Sequence, residues 1–380
     1  MNELFFELIR VGLGSQTCLS MTPSEAEWDN LYGMALKQSL VGICFVGLQQ
    51  LGADADAGFV RIGMSEKLYF SWMVMAAQIQ QRNEVVNRHC VEVQQMFKEK
   101  GVRSCIIKGQ GTGALYNVDY YEGRNRNIDS DLSLYRQSGD IDIWVEGGRK
   151  KVIELVNSIH PTKEIRDNHA QLHIFKDTEV EVHYRPGLIR DFRRNRLLQE
   201  FFKVNAEECF TNTVQLHDNR EIVASTVRFN AVQQLLHIYH HLFDSGIGLR
   251  QVLDYYFVLR NISEFDRAEV IEVLKLVGVE RFAKALMYVE QKVFGLGHHY
   301  LLCEPSIEDG EYLLNEIIRG GNFGHYDDRR KYDTHNSFLE SFLGVYFKNF
   351  RHARFAPMEW FWSPLWRLYY FGWRKWNGYE

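Results

Sequence analysis

Two short segments of the chain carry acidic residues at strand spacing. In Gly139-Asp140-Ile141-Asp142-Ile143-Trp144-Val145, an extended backbone sends alternate side chains to opposite faces. Ile141, Ile143 and Val145 then point into a core, while Asp140, Asp142 and Trp144 point the other way. Two carboxylates side by side repel each other, and a cation removes that cost. A hard divalent ion such as Mg²⁺ (or Mn²⁺) suits the position because it takes oxygen ligands. Glu179-Val180-Glu181-Val182-His183-Tyr184 repeats the pattern, with both glutamates and the histidine on one face. If the two strands are neighbours, Glu181 or Glu179 supplies a third carboxylate; we place Glu181 there and read Glu179 as its solvated neighbour. Three carboxylates can hold two metals, and two metals can clamp the attacking and leaving oxygens of an in-line phosphoryl or nucleotidyl transfer. Upstream, Lys108-Gly109 ends a strand and leads into a glycine-rich helix start. Backbone N–H groups at such a start suit a triphosphate, and Lys108 adds a point charge. Gly139 leaves room for close approach of a ligand.

The elements that must position these residues are legible as a pattern. The first hundred residues read as helical. Thr22 can cap a helix with Pro23 at its first position and Glu25 closing a capping box, and Trp28, Leu31, Ala35 and Leu40 follow at helical spacing. A long helix is expected from near Ser65 to Lys100, stopped by Gly101. Then come a strand over Val102 to Ile107, a turn and helix from Gly111, a polar loop from Asp119 to Ser138, and the strand Ile141 to Val145. A helix over Lys150 to Ile159 and strands around His169 to Lys176 and Glu179 to Tyr184 follow. From about Ile222 the chain is helical again, and its last twenty-five residues are dense in aromatics. The expected class is α+β. A small mixed α/β core at 101–190 sits between a helical region at 1–100 and a helical region at 191–380 with an aromatic-rich tail.

Ile106-Ile107-Lys108-Gly109, Arg136 to Asp142 and Val180 to Tyr184 resemble the LKG, GDID and ElHw segments of an uncharacterised bacterial nucleotidyltransferase family of the DNA polymerase β superfamily. His237, His240, His241, Arg250 and Asp254 resemble that family's helical half. The resemblance implies a minimal polymerase-β-like mixed sheet with helical flanks. It implies Asp140 and Asp142 as metal ligands and catalytic residues, with Glu181 as the third. It places Lys108 and Gly109 in the nucleotide loop. Arg136, Gly139 and His183 are further candidates for binding the nucleotide, His183 being equally readable as a satisfied structural histidine. The activity it implies is transfer of a nucleoside monophosphate from an NTP to an acceptor hydroxyl, the acceptor being a small molecule, a protein or RNA. Glu181 would then help remove the acceptor's proton. Two departures stand out. Gln110 replaces the serine that usually follows the glycine, and the long stretch from Gly109 to Asp140 holds a competing Asp129-Ser130-Asp131, ranked lower because Ser130 removes the apolar anchor of a strand.

Other signals compete with this reading. A formal charge of -5 over 380 residues argues against coating DNA, though not against a local basic groove. Six scattered cysteines form no C-x-x-C pair, no signal peptide is visible and no apolar run approaches a membrane span, so a reducing cytoplasm is expected. Arg185, Arg190, Arg193, Arg194 and Arg196 can bind phosphates or RNA, or form a solvated helix face; the solvated face is favoured. His237, His240 and His241 are read as packing and hydrogen-bonding groups. The aromatic tail is expected to pack over the helical half, with Pro364 and Gly372 breaking a long interfacial helix. Two alternatives to an active transferase follow: a degenerate module that binds nucleotide without turnover, and a partner-docking protein using the basic cluster and the tail.

Overall fold

The computed structural model describes residues 1–52, 62–118, 131–330, 350–355 and 357–379. Helix α1 (Asn2–Gly12) buries Phe5, Leu8 and Ile9. It crosses α3 (Val41–Gln50) at a backbone-to-backbone contact made possible by glycine. A Cβ on Gly12 would stand 2.4 Å from the Ile43 carbonyl oxygen, and one on Gly47 would stand 2.6 Å from that of Leu8. Between them, α2 (Glu25–Gln38) starts two residues later than expected. Its cap is Ser24, whose backbone N–H and hydroxyl both reach the Glu27 carboxylate, at 2.8 and 2.7 Å. Ser24 and Glu27 have the S-x-x-E spacing that a capping box requires, which Thr22 and Glu25 also have; the box forms where the apolar stripe begins. The long α4 (Glu66–Glu99) runs as anticipated and is stopped by Gly101 at φ 70°.

The sheet that carries the acidic segments has four strands in the order β1 (Ser104–Ile106), β2 (Ile141–Val145), β4 (Val180–His183), β3 (His169–Gln171). Strands β2 and β4 run parallel and the outer pairings are antiparallel. In the β2–β4 register Asp142 sits directly beside Glu181, and Trp144 beside His183. One face of the sheet packs Ile141, Ile143, Val180 and Val182 against α4 and α6 (Gly148–Ile159), forming a core with Val86, Val93, Phe97, Val152 and Val156. The four-residue α5 (Gln110–Gly113) follows β1.

A second, larger core joins the first three helices to the later ones. After α7 (Phe192–Val204) and α8 (Ala206–Thr211) comes a hairpin, β5 (Thr213–Gln215) with β6 (Glu221–Val223), where the chain was expected to be helical. Its turn signal is Asp218-Asn219; Asn219 takes φ 61°, which asparagine tolerates. The Gln94 side chain grips Val223 through its amide at 2.7 Å and its carbonyl at 3.0 Å. The helical half then consists of α9 (Val227–Asp244), α10 (Leu249–Asn261), α11 (Glu264–Leu276), α12 (Glu280–Phe294) and α13 (Ile307–Gly320). Helix α1 packs on α12, with Arg10 donating to the Val293 carbonyl at 3.2 Å.

The tail forms α14 (Pro357–Asn377), continuous through Pro364. Proline removes one helical hydrogen bond; side-chain packing on either side outweighs that loss. The helix packs on the helical half, where Trp362 and Trp366 meet the Phe192 ring of α7 and Arg367 stands 4.0 Å from Asp244 of α9, and it also lies on the α/β core. Trp366 donates its indole N–H to Asp167 at 3.2 Å, and the Arg149 guanidinium stands 4.5 Å from the Trp373 ring centroid. No helix among the described residues is long and apolar enough to cross a membrane.

Candidate active site

The face of the sheet opposite the β-core residues opens onto a cavity of about 770 Å³. Strand β2 supplies Asp142 and is preceded directly by Asp140, β4 supplies Glu181 and His183, and β3 supplies His169. Helices α9 and α10 contribute His237 and Arg250 from the far side, and Trp366, Tyr370 and Arg374 of α14 line it as well. Asp140, Asp142 and Glu181 each offer an oxygen within 4.8 Å of the other two. The parallel register explains this: Asp142 and Glu181 are lateral neighbours on one face.

Asp142 is the most heavily bonded of the three. It is buried, and its Oδ1 lies 2.6 Å from Lys108 Nζ and 2.8 Å from His183 Nε2. The same His183 nitrogen is 3.3 Å from Glu181 Oε2, and His169 Nδ1 is 3.4 Å from that oxygen. Burial disfavours charge on Asp142, but the Lys108 ammonium and the hydrogen bond from His183 overrule it and hold the carboxyl well below the usual range. Asp140 behaves oppositely. Burial, then repulsion from Asp142 and Glu181, pushes its carboxyl up to about 6. His183 is lifted to about 8, because its bonds to Asp142 and Glu181 outweigh burial. Burial drives His169 down to about 4 and His237 well below the usual imidazole value. At neutral pH the site is therefore an acidic cluster balanced from within by Lys108 and His183.

Several residues singled out in the sequence have partners the sequence did not reveal. Lys108 was expected to face phosphates; its ammonium instead sits against Asp142, with His237 Nδ1 3.3 Å away. Gly109 takes φ 59°, as a turn after β1 demands, but the helix after it has only four residues. A single turn carries little dipole, so the helix-terminus argument for a triphosphate at that point does not hold. Gln110 turns away from the cavity and donates to Asn83 and Asn87 of α4, at 3.3 and 2.5 Å. Arg136 is buried in a two-pronged bond to Asp254, at 2.7 and 2.8 Å, which leaves its Nη1 without a protein partner. Gly139 sits beside Arg250: a Cβ there would be 3.7 Å from Arg250 Nη1.

Of the competing acidic pair, Asp129 and Ser130 lie outside the described residues. Asp131 accepts from the Ser133 amide at 2.8 Å and pairs with His217 at 2.9 Å. Glu179 is exposed. In the arginine cluster, Arg193 and Arg196 are solvated as expected, but Arg190 is 5% exposed and bound to Asp244 at 2.6 Å. The α9 histidines bond locally: His240 to Asp244 at 3.3 Å and His241 to Ser245 at 2.7 Å. Two contributors escaped the sequence reading. His169 had a signal, since it pairs in register with His183 across β3 and β4. Arg250 had only its place in the resemblance.

No curated protein and no solved structure matches this chain. The model of a family described as an uncharacterised nucleotidyltransferase matches residues 24–295, most of the chain and every residue of the acidic cluster, and the chain belongs to that family.

Proposed function

We propose that the protein transfers a nucleoside monophosphate from an NTP to an acceptor hydroxyl, with Asp140, Asp142 and Glu181 holding Mg²⁺ or Mn²⁺. The observation that carries this reading is the convergence of three carboxylates from adjacent strands within 4.8 Å, at the wall of a cavity of about 770 Å³. An all-oxygen donor set fits a hard divalent cation. Such a cation supplies Lewis acidity toward phosphoryl oxygens and stabilises a pyrophosphate leaving group.

The chain's own residues do the rest. His183 fixes the orientation of Asp142 and Glu181 by bonding to both. Lys108 neutralises Asp142 until a cation takes its place, which keeps three acids compatible in one cluster. Asp140 is lifted by burial and by its acidic neighbours, whereas at Glu181 burial is overruled by the hydrogen bond from His183, which holds the carboxyl below the usual range, so Glu181 is ionised and can accept the acceptor's hydroxyl proton. Gly139 has no side chain and leaves the approach to Asp140 open.

A screen of the four NTPs with Mg²⁺ or Mn²⁺ against sugars, antibiotics, proteins and RNA, read by pyrophosphate release, tests this. Activity abolished by Asp142→Asn supports the reading; Mn²⁺ binding with no pyrophosphate release in any pool overturns turnover. That second outcome would select a nucleotide-binding module without catalysis. The turning of Gln110 into α4, away from any phosphate, is the observation that favours it.

A further inference from the structure

Two guanidinium groups line the cavity near Asp140, and Asp254 pairs with only one of them. Arg136 takes both oxygens of Asp254, and the Tyr116 hydroxyl donates to the same Oδ1 at 2.5 Å. Asp254 is thereby fully engaged. Arg250, one turn earlier on α10, is 9% exposed and has no carboxylate within ion-pairing distance among the described residues. Its Nη1 donates to the Gln137 carbonyl at 3.0 Å, and its Nε is buried with no partner. The Nη1 of Arg136 is likewise buried and unbonded. Arginine stays charged in proteins, so it cannot escape the cost of burial by losing a proton. A buried guanidinium without a counter-ion costs several kcal/mol in general, and an anion entering the cavity that both arginines line would offset that cost.

The surroundings of Arg250 are built to hold it. The Phe323 ring lies 5.8 Å from the guanidinium, and Phe323 does so at φ 50°, ψ 24°, a left-handed conformation that a bulky side chain rarely adopts. A Cβ on Gly139, the residue before Asp140, would stand 3.7 Å from Arg250 Nη1. The Lys108 ammonium is engaged by Asp142.

We propose that Arg250, with the unbonded Nη1 of Arg136, is an anion site that binds phosphate groups of the nucleotide on the Asp140 side of the cavity. The identity of the anion rests on the nucleotidyl-transfer reading; the presence of an anion site does not. Guanidinium binds phosphate through paired N–H donors, which an ammonium cannot reproduce. A phosphate held by Arg250 abuts Asp140 across Gly139, so the same group can meet both the arginine and the carboxylate cluster.

The test is calorimetric titration of the full chain with tripolyphosphate, in chelator and with Mg²⁺, for the wild type, Arg250→Gln and Arg250→Lys. In chelator, Arg250→Gln is expected to weaken binding by about ten- to a hundredfold, the effect of losing one charged hydrogen-bonding group. Arg250→Lys should fall between, keeping charge without the fork. The melting temperature of ligand-free Arg250→Gln should equal or exceed that of the wild type, since an unpaired buried charge has been removed. Wild-type affinity in Arg250→Gln overturns the proposal. So does a lowered melting temperature with affinity retained, which would make Arg250 a structural tie to Gln137. No wild-type binding in either buffer also overturns it. Should Arg250→Gln fail to fold, undiminished binding by Arg250→Lys overturns the proposal and a clear loss supports it. Arginine-dependent tripolyphosphate binding without pyrophosphate release from any acceptor pool would leave the anion site standing and remove the transferase reading.

Discussion

Replacing Lys108 by methionine separates its two roles, as counter-ion and as competitor. The ammonium lies 2.6 Å from Asp142 Oδ1, and the two side chains are 13% and 5% exposed. At an effective dielectric of about 20, unit charges at that separation attract by ~6 kcal/mol before desolvation is subtracted. Removing one partner of a buried pair costs about 3–5 kcal/mol in practice, because the other charge stays behind. Metal-free Lys108→Met should therefore be less stable than the wild type by about that amount in urea unfolding. A divalent cation should narrow the gap. With no ammonium to displace, Mn²⁺ should bind Lys108→Met about tenfold more tightly than wild type, equivalent to about 1.4 kcal/mol. At a concentration of about 100 times Kd, the bound ion returns about 2.7 kcal/mol to the variant. The assay is urea unfolding with and without Mn²⁺, beside a direct Mn²⁺ titration. The reasoning fails if Mn²⁺ binds the variant no better than the wild type, or if the metal-free loss is under about 1 kcal/mol.

Three further outcomes are expected. Glu290 is fully buried in α12 with neither carboxylate oxygen bonded, and burial raises its pKa well above the usual range. As pH rises past the ordinary carboxylate value, the unfolded chain ionises Glu290 while the folded chain does not. Wild-type stability should then fall by about 1.4 kcal/mol per pH unit relative to Glu290→Gln, until the folded pKa is reached; parallel curves for the two proteins from pH 5 to 7 would falsify this. Asp254→Asn leaves Arg136 buried without its counter-ion and should lose about 3–5 kcal/mol by denaturant titration, with a loss under about 1 kcal/mol counting against the network as drawn. Asp131→Ala, whose carboxylate is engaged by Ser133 and His217, should leave Mn²⁺ affinity unchanged while Asp142→Ala abolishes binding; the reverse order would move the metal site elsewhere.

The acidic cluster was readable because period-two alternation is local. Asp140, Asp142 and Glu181 follow from which residues flank which, and the only nonlocal assumption was that β2 and β4 are neighbours. The long α4 was equally clear, since its apolar stripe is long and a glycine ends it. What escaped depends on partners far along the chain. Lys108 meets Asp142 across the sheet, and Gln110 meets Asn83 and Asn87 on α4, so neither direction could be seen from residues 106–113 alone. The β5–β6 hairpin is too short for periodicity to show, and only Asp218-Asn219 marks it. The tail's composition announced burial but not against what; Asp167 and Arg149, which fix its position, are surface-type residues with no pattern to flag them.

The contact between α1 and α12 has a consequence for how the chain comes off the ribosome. Arg10 and Val293, which bond to each other, are 283 positions apart. At about 5–20 residues per second, translation takes tens of seconds to supply the second after the first. Throughout that interval Leu4, Phe5, Leu8 and Ile9 can dock on α3 but still lack their cover from α12. The nascent amino-terminal helices thus wait, partly greasy, for the far half to emerge. A slowed codon run before α12 would lengthen that wait, and the yield of soluble protein in cells short of holding chaperones would register it.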